Sequence, residues 1–321
     1  MNRFAFLLVA ILLNSCSSDR VPSDRISIAV IPKGTTHEFW KSIHAGAKEA
    51  ARELDVDIIW KGPLKEDDRE AQIAVVEDFI SRGVSGIVLA PLDDSALRAP
   101  VLNATRSDIP VIVIDSGLKS DDHVSFVATD NYIGGTMAGL EMIRLLKGKG
   151  RIVVLRYQEG SASTMKREQG FLDTISEFKE IEIVSSNQHG GATTETAYGA
   201  SENLLAPYKT AESVDLDGIF CPNESTTFGM LHALEDGQIA GRVQFIGFDS
   251  SEKLVQGLRK GSLDALVLQN PKKMGYLGVK TMVAHLAGRP VEKRIDTGVA
   301  LITKSNMDSP EMAALLKPPG D

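Results

Sequence analysis

The chain has 321 residues, with 43 acidic and 35 basic side chains and a formal net charge of −8. This length accommodates two domains of ordinary size, and the acidic balance argues against a nucleic acid partner, which requires a clustered basic surface. Beyond the N-terminal segment, no stretch approaches the length of an apolar membrane span.

The N-terminus has the features of an export signal. Arg3 supplies a short positive region, and residues 4–13 form an apolar segment that is short for a bilayer span. Residues 13–16, Leu-Asn-Ser-Cys, resemble the cleavage site of bacterial lipoproteins, and this resemblance implies that Cys16 is lipidated and becomes the mature N-terminus. We therefore expect residues 1–15 to be a signal peptide and residues 16–24 to be a polar tether. The alternative is an ordinary secretory signal with an incidental cysteine.

Strand-like and helix-like patterns alternate from residue 26 onward. Continuous β-branched runs without period-two alternation are typical of parallel strands buried on both faces. Their alternation with helices predicts right-handed βαβ units. The pattern starts again after residues 126–131, which we expect to carry the first crossover, so the predicted fold class is α/β with two doubly wound parallel-sheet lobes. The predicted strands cover residues 26–31, 57–60, 86–90, 111–115, 151–155, 181–186, 218–221 and 243–248, and the predicted helices lie near residues 38–54, 69–82, 95–106, 131–147, 163–177, 194–206 and 226–235.

Four apolar runs in the chain each end in a polar side chain: Asp115, Asn223, Asp249 or Gln269. In an open parallel α/β sheet, ligands bind in the crevice beyond the carboxyl ends of the strands. Carboxylates and amides in such a crevice can exchange hydrogen bonds with the same small molecule. Because these residues are far apart in sequence, we expect the site to lie in a cleft between two domains.

Motifs of catalysis and of cofactor binding are missing from the sequence. It has no G-x-G-x-x-G and no Walker lysine, and His37-Glu38 lacks the second histidine that a zincin needs. The six histidines show no paired metal spacing. We therefore expect no enzyme activity, no cofactor and no metal.

Eight segments resemble, in order, the periplasmic sugar-binding proteins of the ribose-binding type, which serve ABC importers. Each segment is weak alone, but together they span nearly the whole mature chain. The resemblance implies two lobes joined by three crossovers, with the ligand between them. It assigns residues 25–129 and 270–298 to the N-terminal lobe and residues 130–269 and 299–321 to the C-terminal lobe. The segments are IAVIPKGTTHEFWKSIHAGAKEAA, GIVLAPLDDSAL, IPVIVIDSGL, VATDNYIGGTMAG, REQGF, GIFCPNESTTFGMLHAL, FIGFDSS and LQNPKKMGYLGVK.

The resemblance also implies which residues contact the ligand. Phe39 and Trp40 match the aromatic pair that clamps a pyranose, where large rigid rings add contact at small entropic cost. Asp115 and Asp249 match acidic residues that form charge-assisted bonds to sugar hydroxyls. The other expected contacts are Thr36 and His37 in the loop before the aromatic pair, Thr129 at the first crossover, Asn223 in the C-terminal lobe, and Gln269 before a further crossover.

Three positions depart from the family pattern. Ser116 and Met165 stand where the family often has arginine, and Ala90 replaces an asparagine.

Each expected contact also has a purely structural interpretation. The aromatic pair could belong to the core of an amphipathic helix, the two aspartates and the asparagine could cap helices, and Gln269 could be a turn residue. Lys33, Arg156 and Lys166 could face an anionic group on the ligand, but a solvated surface position is favoured for all three.

The sequence therefore predicts a monomeric, lipid-anchored receptor in the periplasm or at the cell surface. It is expected to bind a small sugar or sugar-like solute, close by hinge motion, and deliver the solute to an ABC permease in the inner membrane without chemistry. One alternative is a receptor that feeds a signalling or chemotaxis system, such as one for an autoinducer-like furanose. A transcription regulator of this fold would need an N-terminal helix-turn-helix where the export signal stands, and an exported glycoside hydrolase would turn its sugar over.

Overall fold

The computed structural model of the protein describes residues 25–210 and 214–316, so the predicted signal peptide, Cys16 and the tether lie outside the described residues. Within those two ranges, no helix combines the length and apolarity needed to cross a bilayer. Strands and helices alternate through both halves. The strands are β1 (Ser27–Ile31), β2 (Asp57–Trp60), β3 (Gly86–Leu89), β4 (Val111–Ile114), β5 (Ser125–Ala128), β6 (Gly150–Arg156), β7 (Ile181–His189), β8 (Gly218–Phe220), β9 (Gln244–Phe248), β10 (Ala265–Gln269), β11 (Arg294–Asp296) and β12 (Val299–Thr303), and the helices are α1 (Glu38–Leu54), α2 (Arg69–Ser81), α3 (Arg98–Arg106), α4 (Asn131–Leu146), α5 (Ala162–Ser176), α6 (Thr194–Leu205), α7 (Glu224–Asp236), α8 (Glu252–Lys260), α9 (Pro271–Leu286) and α10 (Pro310–Leu316).

Two six-stranded sheets organise the molecule into two α/β lobes, which confirms the predicted fold class. The strand order is β11-β5-β4-β3-β1-β2 in the N-terminal lobe and β12-β10-β9-β8-β6-β7 in the C-terminal lobe. All neighbouring strands are parallel except β10 and β12. The two orders correspond position by position, so β4 is equivalent to β9 and β5 to β10. The chain passes between the sheets after β5, after β10, and between β11 and β12.

Helices cover both faces of each sheet. In the N-terminal lobe, one apolar cluster joins the sheet to α1 and α9, and another joins it to α2 and α3. In the C-terminal lobe, the corresponding clusters involve α6, α7 and α8 on one side and α4 and α5 on the other. Strands β3 and β4 are buried along their whole length, as their β-branched sequences require. Because the faces are covered, the ends of the strands are the part of each sheet that can line a cleft.

Several elements differ from the sequence prediction. The connection expected at residues 126–131 is in part strand β5, whose backbone pairs with both β4 and β11. Helix α7 begins at Glu224, two residues early, because Asn223 supplies the cap. Strands β11 and β12 and helices α8, α9 and α10 were not predicted, and β10 was identified only as an apolar run that ends in Gln269. Strand β11 has only three residues, so its pattern is too short to identify a strand before its partner β5 is known.

Candidate functional site

A narrow cavity of about 30 Å³ lies between the lobes at the carboxyl ends of the strands. It shares several wall residues with a wider interlobe cleft of about 720 Å³. The predicted site residues on the cavity wall are His37, Phe39, Trp40, Asp115, Asn223, Asp249 and Gln269.

The same backbone turn brings one carboxylate from each lobe to this cavity. Asp115 follows β4 and Asp249 follows the equivalent strand β9, and their φ angles are +61° and +67°. This left-handed region is uncommon for residues with a side chain, although aspartate tolerates it better than most and such residues cluster at functional sites. Both aspartates are buried. The capping interpretation of Asp249 is wrong, because Ser251 caps α8.

Lys33 is buried at the interface of the two lobes, although the sequence analysis favoured a solvated position. Its ammonium lies 2.8 Å from Asp115 Oδ2 and donates to Ser163 Oγ at 3.0 Å and Ser161 Oγ at 3.3 Å. The three donors of an ammonium group match these three acceptors. Lys33 therefore supplies, from the segment after β1, the cation beside Asp115 that the serine at position 116 cannot provide.

Glu66, which was not predicted from the sequence, connects three other side chains of the cavity wall. Its Oε1 accepts a hydrogen bond from Trp40 Nε1 at 2.7 Å and lies 2.5 Å from His37 Nδ1. Its Oε2 accepts from the hydroxyl of Tyr157, in the opposite lobe, at 2.8 Å. The sequence offered no signal for this role, because Glu66 lies in a run of acidic residues that reads as exposed loop.

His37 and Glu66 form an ion pair at neutral pH. Burial alone would lower the pKa of His37, but the hydrogen bond and charge of Glu66, with the charges of Glu224 and Asp249, raise that pKa to about 9. Burial alone would raise the pKa of Glu66, but the hydrogen bond and charge of His37, with the charge of Lys33, hold it at about 2. Both charges therefore persist near pH 7.

The C-terminal lobe contributes a buried arginine, Arg167, that the sequence analysis missed. Met165, which stands where the family often has arginine, is exposed. Arg167 is only 2% exposed and lines the cavity. Arg167 Nε donates to Asn131 Oδ1 at 2.8 Å, and Nη1 donates to the carbonyl of Pro222 at 2.9 Å. Its Nη1 also lies 3.7 Å from Asp249 Oδ2. Arg167 thus supplies, two residues later in the chain, the positive charge that Met165 lacks.

Acceptor groups converge where the cavity meets the wider cleft. Gln269 Nε2 donates to Asp249 Oδ1 at 2.7 Å, and its Oε1 is buried with no hydrogen-bond partner among residues 25–210 and 214–316. The backbone N–H of Glu224 donates to Asp249 Oδ2 at 3.2 Å, and Phe39 N–H donates to Glu224 Oε2 at 3.2 Å. Burial raises the pKa of Glu224 to about 7, and the charge of Asp249 adds to this, while His37 opposes it.

The aromatic pair belongs to both the core and the cavity wall. The rings of Phe39 and Trp40 are buried and meet edge to face at 87°, with their centroids 5.0 Å apart. Both also line the cavity. Phe39 and Trp40 are therefore core residues and cavity residues at the same time.

The remaining predicted residues take different positions. Asn223 lines the cavity and also caps α7, with Oδ1 accepting from Thr226 N–H at 3.3 Å. Thr36 lies in the wider cleft. Thr129 is buried at the crossover, where its hydroxyl contacts Thr297 Oγ1 at 3.2 Å and donates to the carbonyl of Gly298 at 3.1 Å. The structure therefore places Thr129 between two crossover segments and not on the cavity wall.

The arrangement is suited to binding a polar molecule. Carboxylates, amides and aromatic rings from both lobes meet in one cavity, and their orientation is held by further buried hydrogen bonds. Within residues 25–210 and 214–316, no cluster of three or more His, Cys, Asp or Glu side chains is placed to hold a metal ion.

Comparison with known proteins agrees with this geometry. Residues 28–290 match the model of a family described as "Periplasmic binding protein domain". The ribose import binding protein of Haemophilus influenzae is 28% identical over 305 residues, covering 95% of this chain and 100% of that protein. A solute binding protein from Agrobacterium radiobacter in complex with D-arabinose is 31% identical with a TM-score of 0.87, covering 92% of this chain and 100% of that one. A solute binding protein from Agrobacterium vitis with bound D-fucose is 36% identical with a TM-score of 0.85, covering 91% and 100%.

Proposed function

The chain belongs to the periplasmic binding protein family, and from this premise we propose that it is a solute receptor that binds a small sugar or sugar-like molecule and delivers it to an ABC importer. One observation carries the proposal: carboxylates, amides and aromatic rings of both lobes line a single buried cavity. The ribose, D-arabinose and D-fucose named for its relatives support a sugar as the ligand class.

The cavity residues have complementary roles in this proposal. Asp115 and Asp249 accept hydrogen bonds from sugar hydroxyls, and charged acceptors form the stronger bonds. Asn223 and Gln269 add amide groups that can donate or accept. The Phe39 and Trp40 rings provide an apolar surface for the C–H face of the sugar.

Ligand binding is coupled to closure of the lobes. In this proposal, residues 25–129 with 270–298 rotate against residues 130–269 with 299–321, by hinge motion at the three crossovers. The closed arrangement has direct interlobe bonds, including Lys33 Nζ to Ser163 Oγ and the Tyr157 hydroxyl to Glu66 Oε2. These bonds stabilise the closed arrangement.

The receptor is proposed to act outside the cytoplasm as a lipid-anchored monomer. Residues 1–15 are its signal peptide, Cys16 carries the lipid, and residues 16–24 are the tether to the folded lobes. Its partner is a permease in the inner membrane. Mass spectrometry of the mature N-terminus tests the lipid, and size-exclusion chromatography with light scattering tests the monomer.

A thermal-shift screen tests the sugar receptor directly. The panel contains monosaccharides, polyols, sugar acids and furanoses, and a ligand present at 100 times its Kd adds about 2.7 kcal/mol to the free energy of unfolding. Mass spectrometry of the released ligand separates a receptor from an exported hydrolase, because a receptor returns the sugar intact. Stabilisation by no member of the panel would contradict the proposal.

A further inference from the structure

The charged side chains of the cavity do not balance. Lys33 pairs with Asp115 at 2.8 Å, and His37 pairs with Glu66 at 2.5 Å. Arg167 lies 3.7 Å from Asp249, so that among the described residues no cation is in direct contact with the fourth carboxyl group, that of Glu224. The cavity wall thus has three cationic and four acidic side chains. The cations are Lys33, His37 and Arg167, and the acids are Glu66, Asp115, Asp249 and Glu224.

The excess acid lies where the cavity meets the wider cleft. Glu224, Asp249 and Gln269 line both spaces, so a ligand that enters the cavity passes them. Asp249 joins the three residues, because its Oδ1 accepts from Gln269 and its Oδ2 accepts from the backbone of Glu224.

An unused acceptor marks the same place. Gln269 is 4% exposed, and its Nε2 donates to Asp249 while its Oε1 has no partner in the described part of the chain. A buried polar atom without a hydrogen bond is costly, so a donor on the ligand is expected there. Because one N–H of Nε2 is engaged by a carboxylate, the free acceptor of Gln269 is its oxygen.

Glu224 behaves as a carboxyl group that lacks a cation. Burial raises its pKa to about 7, and the negative charge of Asp249 acts in the same direction. His37 opposes this shift, as do the backbone N–H groups of Phe39 and Glu38. The group can therefore hold a proton near neutral pH, and a bound cation would release that proton.

We propose that the ligand carries a primary ammonium group, as an amino sugar does, and that Glu224, Asp249 and Oε1 of Gln269 bind this group. The inference rests on the proposed sugar receptor and specifies its ligand class. An ammonium offers three donors and no acceptor, which matches these three acceptor groups. A hydroxyl offers one donor and leaves its lone pairs facing the other acceptors.

Matched sugar triplets test the amine directly. Glucosamine, galactosamine and mannosamine are each compared with the N-acetyl derivative and with the parent hexose, by isothermal titration calorimetry at pH 7.5. We expect at least one amine to bind with a Kd about tenfold or more below those of its two uncharged partners, the range of a charge-assisted bond. A parent hexose that binds as tightly as its amine overturns the inference and leaves the sugar receptor standing. Binding by none of the nine compounds also overturns it, and the broader sugar panel then decides the proposed function separately.

Two further measurements assign the preference to Glu224. Glu224→Gln keeps the shape and removes the charge, so the ratio of amine to hexose affinity is expected to fall at least fivefold. Glu235→Gln removes an exposed carboxylate at the other end of α7 and is expected to keep the wild-type ratio.

If Glu224→Gln does not fold, the pH dependence of binding to the wild-type protein tests the same assignment. Lowering the pH from 7.5 to 5.5 protonates Glu224 and is expected to weaken amine binding several-fold but not hexose binding. An unchanged ratio in both measurements overturns the assignment.

Discussion

At the scale of single residues, the cavity is built from charge pairs and not from isolated polar groups. Lys33 and Asp115 are buried together, and Glu66 is buried beside a largely buried His37. Each charge depends on its partner, because removing one member of a buried pair leaves the other uncompensated. Substitutions in the cavity are therefore expected to change ligand binding and folding stability together, and both need to be measured.

Asp249→Ala is expected to weaken ligand binding about tenfold to a hundredfold, because a buried ligand hydroxyl that loses its acceptor costs about 1–3 kcal/mol. Calorimetry with the ligand from the sugar panel gives the change in Kd. Asp308→Ala is the control, since Asp308 is exposed and pairs with Arg259 at the surface. Wild-type affinity in Asp249→Ala would show that the carboxylate does not contact the ligand.

The ion pair of His37 and Glu66 makes stability depend on pH. The pKa of His37 is about 9 in the folded protein, above its ordinary value of 6.5, so its contribution is complete below pH 6.5 and is lost as the pH rises through 9. Urea unfolding of the wild type is expected to lose about 1–3 kcal/mol between pH 6.5 and 9. His37→Gln is expected to have a flatter profile. Equal slopes in the two proteins would contradict the pairing.

At the scale of elements, the two lobes share the same turn after equivalent strands and the same close packing of a helix pair. The turns after β4 and β9 both hold an aspartate with positive φ. Helix α1 packs against α9 in one lobe, and α4 packs against α5 in the other. The backbones of each pair approach so closely that glycine is required at the contact points. Such contact orients α1, whose first turn carries Phe39 and Trp40 into the cavity wall.

Gly46→Ala tests the close approach of α1 to α9. A Cβ at Gly46 would lie 1.9 Å from the carbonyl oxygen of Lys272, so the helices would have to move apart. We expect a loss of about 1–3 kcal/mol in the free energy of unfolding, which urea titration measures. Gly199→Ala, on α6 with no atom within 4 Å, is the control and is expected to gain about 0.5–1 kcal/mol. Similar effects of the two substitutions would contradict the packing argument.

At the scale of the whole molecule, the lobes touch each other directly around the cavity. The backbone N–H of Asp94 donates to the carbonyl of Gly160 at 2.9 Å, and Ser163 N–H donates to Ser116 Oγ at 3.1 Å. Gln158 Nε2 also donates to the carbonyl of Glu66 at 2.9 Å. Closure is therefore sensitive to the shape of the loop before α5.

Gly160→Ala is expected to hinder closure. A Cβ there would lie 2.3 Å from Asp93 Oδ2 of the other lobe, and that carboxylate is fixed by the N–H groups of Ser95 and Ala96. We expect a Kd about tenfold or more above wild type, the effect of 1.4 kcal/mol or more. We also expect a smaller ligand-induced decrease in the radius of gyration by X-ray scattering.

Gly288→Ala is the control for this substitution. Gly288 also has positive φ, +70°, but apart from its chain neighbours no described residue has a heavy atom within 4 Å of the added Cβ, so it reproduces the backbone strain without the interlobe clash. Closure and affinity in Gly160→Ala equal to those in Gly288→Ala would contradict the interlobe explanation.

The sequence by itself determined the features that are local to a strand or a helix. Alternating β-branched and helical patterns predicted the α/β class, since a strand buried on both faces has to be apolar along its length. The polar residues that end the apolar runs, Asp115, Asn223, Asp249 and Gln269, could be predicted as neighbours because parallel strands end at one edge. All four lie on the wall of one cavity.

Only the tertiary structure decided which charges are buried and what faces them. Lys33, Glu66 and Arg167 are typical surface residues by type, and each is buried because distant segments supply its partners: Ser163 for Lys33, Tyr157 for Glu66, and Pro222 for Arg167. A buried charge is stable only when opposite charges and hydrogen bonds surround it. These surroundings come from segments far away in the chain, so no local pattern encodes them.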